Sequence, residues 1–162
     1  IEYIINKYIE HIKEILRKEL VQLSFNLTST EHERRRNDSG YVNSFLNLLN
    51  SPNGLINRCK KSLSNAMFAC LLQCCAYTLS GILLKVYKNK EYNELGALIL
   101  QADLRKIVDG MNNLLAEGSI RSQMEELQVF VWLLNVERPS DVKDSPLINK
   151  SYIREFPGLR PE

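Results

Sequence analysis

The chain has 162 residues, 44% of them apolar and 25% charged, with a net charge of +2 from 21 basic and 19 acidic side chains. That is enough polypeptide for one domain with a sizeable core, and the composition is that of a folded chain. The near balance of charge argues against a dedicated nucleic-acid binder, which would carry a basic excess. On totals alone the charge marks no single surface.

Residues 1–24 place Ile1, Ile4, Ile5, Tyr8, Ile9, Ile12, Ile15, Leu16, Leu20 and Leu23 at spacings of three and four. This predicts an amphipathic helix, with Lys7, Glu10, Lys13, Glu14, Arg17 and Lys18 on its other faces. Residues 26–40 read as a polar, mobile connection with little to bury. It contains the only basic cluster, Arg34-Arg35-Arg36, flanked by Glu31, Glu33 and Asp38. These arginines either meet anionic lipid or an acidic partner, or form a solvated loop. Helical periodicity resumes from Tyr41 to Asn50, and Ser51-Pro52-Asn53-Gly54 signals a turn.

A long rod is predicted next, from about Leu55 to Tyr87. Within it, Ser62 to Leu84 runs for 23 positions without a charge, bracketed by Lys60-Lys61 and Lys85. Such a run is either a membrane span or the central helix of a bundle. Ser62, Ser64, Asn65, Gln73, Thr78, Ser80 and Gly81 are many polar or glycine positions for a span, so the buried helix is the preferred reading. Asn93 caps a further helix over about residues 94–116, whose inward face holds Leu95, Leu98, Ile99, Ala102, Leu104 or Arg105, Val108, Met111 and Leu115. Another helix is expected over residues 120–135, with Phe130 in the core and Trp132 off that stripe, either in the core or at a partner or lipid contact. Short helices are expected after Pro139 and over Ser151–Phe156. The resulting fold class is all-α: an antiparallel bundle of about four long helices plus short C-terminal helices, in a single domain spanning residues 1–162. The sequence starts at Ile1, inside a helical pattern, and is read as part of a longer, helical rod.

Catalytic signatures are missing from the sequence. His11 and His32 are the only histidines, and neither lies in a metal-binding frame. Cys70 and Cys74 are one helical turn apart and offer at most half a zinc site. Cys59, Cys70, Cys74 and Cys75 fall on one predicted helix, where disulfide geometry is hard to reach, and suit a reducing compartment. No cofactor is expected, and an enzyme is not.

Tyr92-Asn93-Glu94-Leu95-Gly96-Ala97-Leu98-Ile99-Leu100-Gln101-Ala102-Asp103-Leu104-Arg105, followed by Leu133-Leu134-Asn135-Val136-Glu137-Arg138, carries a resemblance. The pair resembles the C-terminal part of subunits of multisubunit vesicle-tethering complexes: the conserved oligomeric Golgi complex, and within it most the fourth subunit, the exocyst and the Golgi-associated retrograde protein complex. The chain departs from the family pattern at Ile99, Leu100 and Gln101, and at Pro139. The resemblance implies a non-catalytic helical rod that captures vesicles in intracellular membrane traffic. It implies fellow complex subunits, SNARE proteins and small GTPases as partners, peripheral membrane association, and a cytoplasmic location at Golgi or vesicle membranes. It also implies an ion pair between Arg105 and Asp141, with Glu137 as the competing carboxylate. If Arg105 is buried, breaking that pair costs about 3–5 kcal/mol. A membrane-embedded protein using residues 62–84 as a span is the alternative of a different class, and a thiol-redox domain is a third.

Overall fold

The computed structural model describes residues 2–136, and within them the fold is all-α, with no strand. Helix α1 spans Glu2–Ile15 and runs into a single π-helical turn, Leu16–Leu20, where the Val21 N–H reaches back to the Leu16 carbonyl at 2.8 Å. α1 buries Tyr8 and Ile12, and the π turn buries Leu16 and Leu20, the stripe that the periodicity predicts.

The polar connection contains a helix. α2 covers Ser29–Asn37 and starts with a full capping box: the Thr28 hydroxyl accepts from the Glu31 N–H, and the Glu31 carboxylate accepts from the Thr28 N–H at 2.9 Å. Thr-x-x-Glu satisfies two orphan donors, which starts a helix even where almost nothing apolar follows. Arg35 then anchors it on Ser24 and Phe25. α3 spans Gly40–Asn50 and buries Tyr41, Val42, Phe45 and Leu49.

The predicted rod is two helices. α4 is Leu55–Ser62 and α5 is Asn65–Lys88, separated by Leu63 in an extended conformation and by Ser64, whose hydroxyl accepts from the Met67 N–H. Serine at an N-cap competes with the preceding helix for backbone donors, and here it wins. α5 is the central element. It buries ten residues, among them Phe68, Leu71, Leu72, Cys75, Leu79, Leu83 and Tyr87, and it touches α1, α4 and α7. It is long and apolar enough to cross a membrane, with a mean hydropathy of 1.8, but half of that window is buried against the rest of the chain. α6 spans Glu94–Asn112, capped by the Asn93 side chain on the Gly96 N–H at 2.9 Å. A 3-10 turn, Arg121–Met124, leads into α7, Glu125–Leu134. The helices expected after Pro139 and at Ser151–Phe156 lie outside the described residues.

The buried stripe of α6 is displaced from the expected one. Gly96, Ala97, Leu100, Asp103 and Ile107 face inward with Ile99, Leu104, Val108 and Met111, whereas Leu98 is 44% exposed and Arg105 is exposed. Asp103 is therefore the charged residue inside the bundle. The Tyr41 hydroxyl donates to its Oδ2 at 2.9 Å, and the Tyr87 hydroxyl lies 3.2 Å from that of Tyr41. Since Tyr41 gives its proton to the carboxylate, Tyr87 is the donor to Tyr41. Burial lifts the Asp103 carboxyl above its ordinary range, opposed in part by the Ser39 and Tyr41 hydroxyls.

Gly96 marks the tightest backbone approach. A Cβ there would sit 1.7 Å from the Phe25 carbonyl oxygen, whereas a Cβ at Gly81 on α5 would meet nothing within 4 Å. Gly96→Ala is expected to lower the unfolding free energy by about 2 kcal/mol, because backbone must move. Gly81→Ala is expected to raise it by about 0.5–1 kcal/mol through helix propensity. Urea denaturation of both variants checks the pair, and equal effects would contradict the packing at Gly96.

For Asp103 the folded chain holds the proton more tightly than the unfolded chain does. Its ionisation costs nothing below the unfolded pKa and progressively more as pH rises through the folded one. The stability of the parent chain relative to Asp103→Asn is thus expected to fall between acid and neutral pH. Denaturation of both proteins across that range measures it, and a flat difference would mean that Asp103 is not desolvated.

Candidate functional site

Helices α6 and α7 leave a cleft between them. Gln101, Leu104, Arg105, Val108 and Asp109 recur on α6 at spacings that keep them on one side, and Gln128, Val131 and Trp132 do the same on α7. Arg121, from the 3-10 turn, completes the lining. The cleft holds about 280 Å³. Its floor is the buried trio Leu104, Val108 and Val131, and its rim is polar, with Arg105, Arg121, Asp109 and Gln101 exposed. Trp132 is half-buried along the wall. Two guanidiniums face one carboxylate, so the rim has a modest positive excess. An apolar floor, an indole and forked cations are the chemistry of recognition, and the lining holds no nucleophile beside a base.

Two residues singled out from the sequence, Arg105 and Trp132, meet in this cleft. Arg121, which lines the same cleft, is a residue that sequence reasoning misses; nothing in its local sequence separates it from an ordinary turn residue. Asp141 and Glu137 lie outside the described residues. The expectation of a buried ion pair is corrected on the arginine side: Arg105 is exposed, so its charge is not stranded in the core, and no carboxylate among the described residues pairs with it.

The Arg34-Arg35-Arg36 cluster divides. Arg34 and Arg36 are exposed on α2. Arg35 is 6% exposed, donates from Nη1 to the Ser24 carbonyl, and places its guanidinium 4.8 Å from the centre of the Phe25 ring. Arg35 thus fastens the start of the bundle and is withdrawn from any surface contact. Its cue is its place on the side of α2 that faces Phe25, which a loop reading conceals.

The thiols divide as well. Cys59 and Cys75 are buried, and Cys70 and Cys74 are exposed. Burial pushes the Cys75 thiol up to about 12, with Cys74 and Cys59 nearby adding to the shift, so it is held as an inert thiol. His11 lies exposed on α1, His32 is half-buried on α2, and among the described residues no three of His, Cys, Asp and Glu converge as a metal site would need.

Comparison with known proteins gives a family match. The family model described as conserved oligomeric Golgi complex subunit 4, C-terminal, matches residues 1–155. No curated protein and no solved structure matches the chain. The matched range takes in every described helix and both segments that carried the resemblance in the sequence. The chain belongs to the family of the C-terminal region of conserved oligomeric Golgi complex subunit 4.

Proposed function

We propose that this domain is a non-catalytic scaffold and binding module of a vesicle-tethering complex, working on the cytoplasmic side of Golgi membranes. The observation that carries the reading is the family match over residues 1–155. Other subunits of the conserved oligomeric Golgi complex are the first partners on this reading. SNARE proteins and small GTPases are further ones, met while a vesicle is held before fusion.

The α6–α7 cleft supplies a surface suited to that work. It fits a partner helix with an apolar anchor and an acidic flank, because Arg105 and Arg121 stand on the rim above Leu104, Val108 and Val131. A half-buried tryptophan beside arginines is the residue combination that most often dominates such interfaces. Affinity isolation of the tagged chain from cells is expected to recover the other complex subunits. Combining Arg105→Glu, Arg121→Glu and Trp132→Ala is expected to cut recovery of at least one partner by about tenfold, the loss of one interface hot spot, with the melt unchanged. Recovery of no subunit by the parent chain would overturn the tether reading. Undiminished recovery by the triple variant would remove only the cleft from it.

The pair between Arg105 and Asp141 belongs to the same reading, as a clasp between the cleft rim and the C-terminal segment. An exposed arginine makes it worth about 0.2–1 kcal/mol and not the cost of a buried pair. A double-mutant cycle of Arg105→Ala and Asp141→Ala is expected to give a coupling of that size, with Glu137→Ala as the control. Zero coupling with Asp141 and a measurable one with Glu137 would transfer the role to the competitor.

A further inference from the structure

Helix α5 is central, yet one side of it faces solvent. Met67, Cys70, Cys74, Tyr77, Gly81 and Lys85 are all exposed. Their spacings of three and four keep them on one side over about 27 Å of helix. Tyr77 is 72% and Met67 is 49% exposed, two of the large apolar side chains the bundle leaves outside. The burial of Phe68, Leu71, Cys75 and Leu79 on the opposite side accounts for only half of the uncharged run. Why the outer half also lacks charge is not explained by packing.

The surrounding charge is not even. From Ser39 to Lys90 the chain has six basic residues and no acidic one, while the rest carries 15 basic and 19 acidic residues. Arg58, Lys60 and Lys61 are exposed on α4, which packs on α5 and precedes its face in the chain, and Lys85 lies at the far end of that face. None of these four is in an ion pair among the described residues. Lys90 is excluded from the group, since its ammonium donates to the Val21 and Leu23 carbonyls. Of the elements packed against α5, α1 has Glu2 in its first turn, Glu10 paired with Lys7 and Glu14 paired with Lys18 of the π turn, and α7 opens with Glu125 and Glu126. The four cations outnumber the three carboxylates that remain, Glu2, Glu125 and Glu126.

We propose that this face, uncharged along α5 and cationic at both ends, is the surface by which the domain lies against an anionic membrane. It deepens the function proposed above, of which peripheral membrane contact is a part, by naming the surface and the lipid charge it needs. The geometry is that of an interfacial helix: Met67 and Tyr77 enter the headgroup layer while Arg58, Lys60, Lys61 and Lys85 meet lipid phosphates and carboxylates. Each cation near such a surface contributes about a fivefold gain in partitioning. Arg34 and Arg36 on α2 have no part in it.

The test is flotation of the purified 162-residue chain with phosphatidylcholine vesicles, with and without phosphatidylserine. Binding is expected only with phosphatidylserine, and to fall as salt is raised. Lys60→Gln, Lys61→Gln and Lys85→Gln together are expected to weaken it about 100-fold, and Met67→Ser with Tyr77→Ser about tenfold, with helicity and melting retained. Arg34→Gln with Arg36→Gln should leave it unchanged. An environment-sensitive dye on the exposed Cys70 and Cys74 should shift to the blue on binding. Equal binding to both vesicle types, no binding, or loss through the α2 variant and not the α5 variants would overturn the proposal. So would loss of a complex subunit, in place of vesicles, when the α5 face is changed, because a protein then owns it. Purified lipids report on this surface alone, so a failure here leaves the tether reading to be decided separately, by the recovery of complex subunits from cells.

Discussion

The structure depends on a latch between the segment that follows α1 and the head of α6. Asn93 holds it from both sides: its Oδ1 accepts from the Leu27 N–H at 3.1 Å and from the Gly96 N–H at 2.9 Å, and its Nδ2 donates to the Leu27 carbonyl at 2.7 Å. One side chain thus caps a helix and satisfies a distant backbone. The Asn93 N–H donates to the Phe25 carbonyl, Lys90 takes the carbonyls of Val21 and Leu23, and Arg35 takes that of Ser24. Segments left without secondary structure would otherwise bury unpaired carbonyls, which costs more than a made hydrogen bond returns. The absence of a side chain at Gly96 is what lets the two backbones come this close. Phe25 then stacks among Tyr87 and Tyr92 and under Arg35, so polar closure and apolar packing occur at one place.

With the latch shut, α6 is fixed in rotation as well as in position, and that fixes the cleft. The register that turns Asp103 inward toward Tyr41 also turns Arg105 outward, because residues two apart on a helix differ by about 200°. A buried carboxylate held by a tyrosine pair is costly to misplace, so it specifies one rotation of α6 among several that the apolar pattern alone would tolerate. Arg105 and Trp132 are brought together by this choice and not by any direct contact needed between them.

Much of the architecture is legible in the sequence, and the misreadings have identifiable causes. The stripe Tyr8, Ile12, Leu16 and Leu20 is evident because strong apolar periodicity stands against charged faces. Asn93 is readable as a cap because it precedes a periodic segment. α2 is hidden because its signal is the Thr28–Glu31 capping box and not hydrophobicity, and its one buried side chain is an arginine. The break at Leu63-Ser64 is hidden inside an uncharged run, where a serine cap resembles any other small polar residue. The shift of the α6 stripe is hidden because its apolar residues nearly encircle the helix. A pattern so crowded admits two registers, and the choice rests on tertiary partners, Tyr41 and Phe25, that lie far away in sequence. The cleft inherits that ambiguity: Arg105 and Trp132 are visible as unusual, but Arg121 gains its place only when α7 turns back on α6.

The uncharged run of α5 raises a question of sides and not of membrane versus core. A helix buried all round would be apolar all round, and one on a surface would carry charge outward. α5 does neither. Its inner side is a dense apolar face, and its outer side holds Met67, Cys70, Cys74 and Tyr77 where a soluble helix usually carries Lys or Glu. Cost to the fold is small, since an exposed apolar side chain forfeits burial without straining anything. The missing charge is therefore no requirement of the bundle, and a reason for it must come from what lies outside. Cations at both ends of an uncharged stripe, in a stretch that contains no carboxylate, are what the proposed contact with a negatively charged surface requires.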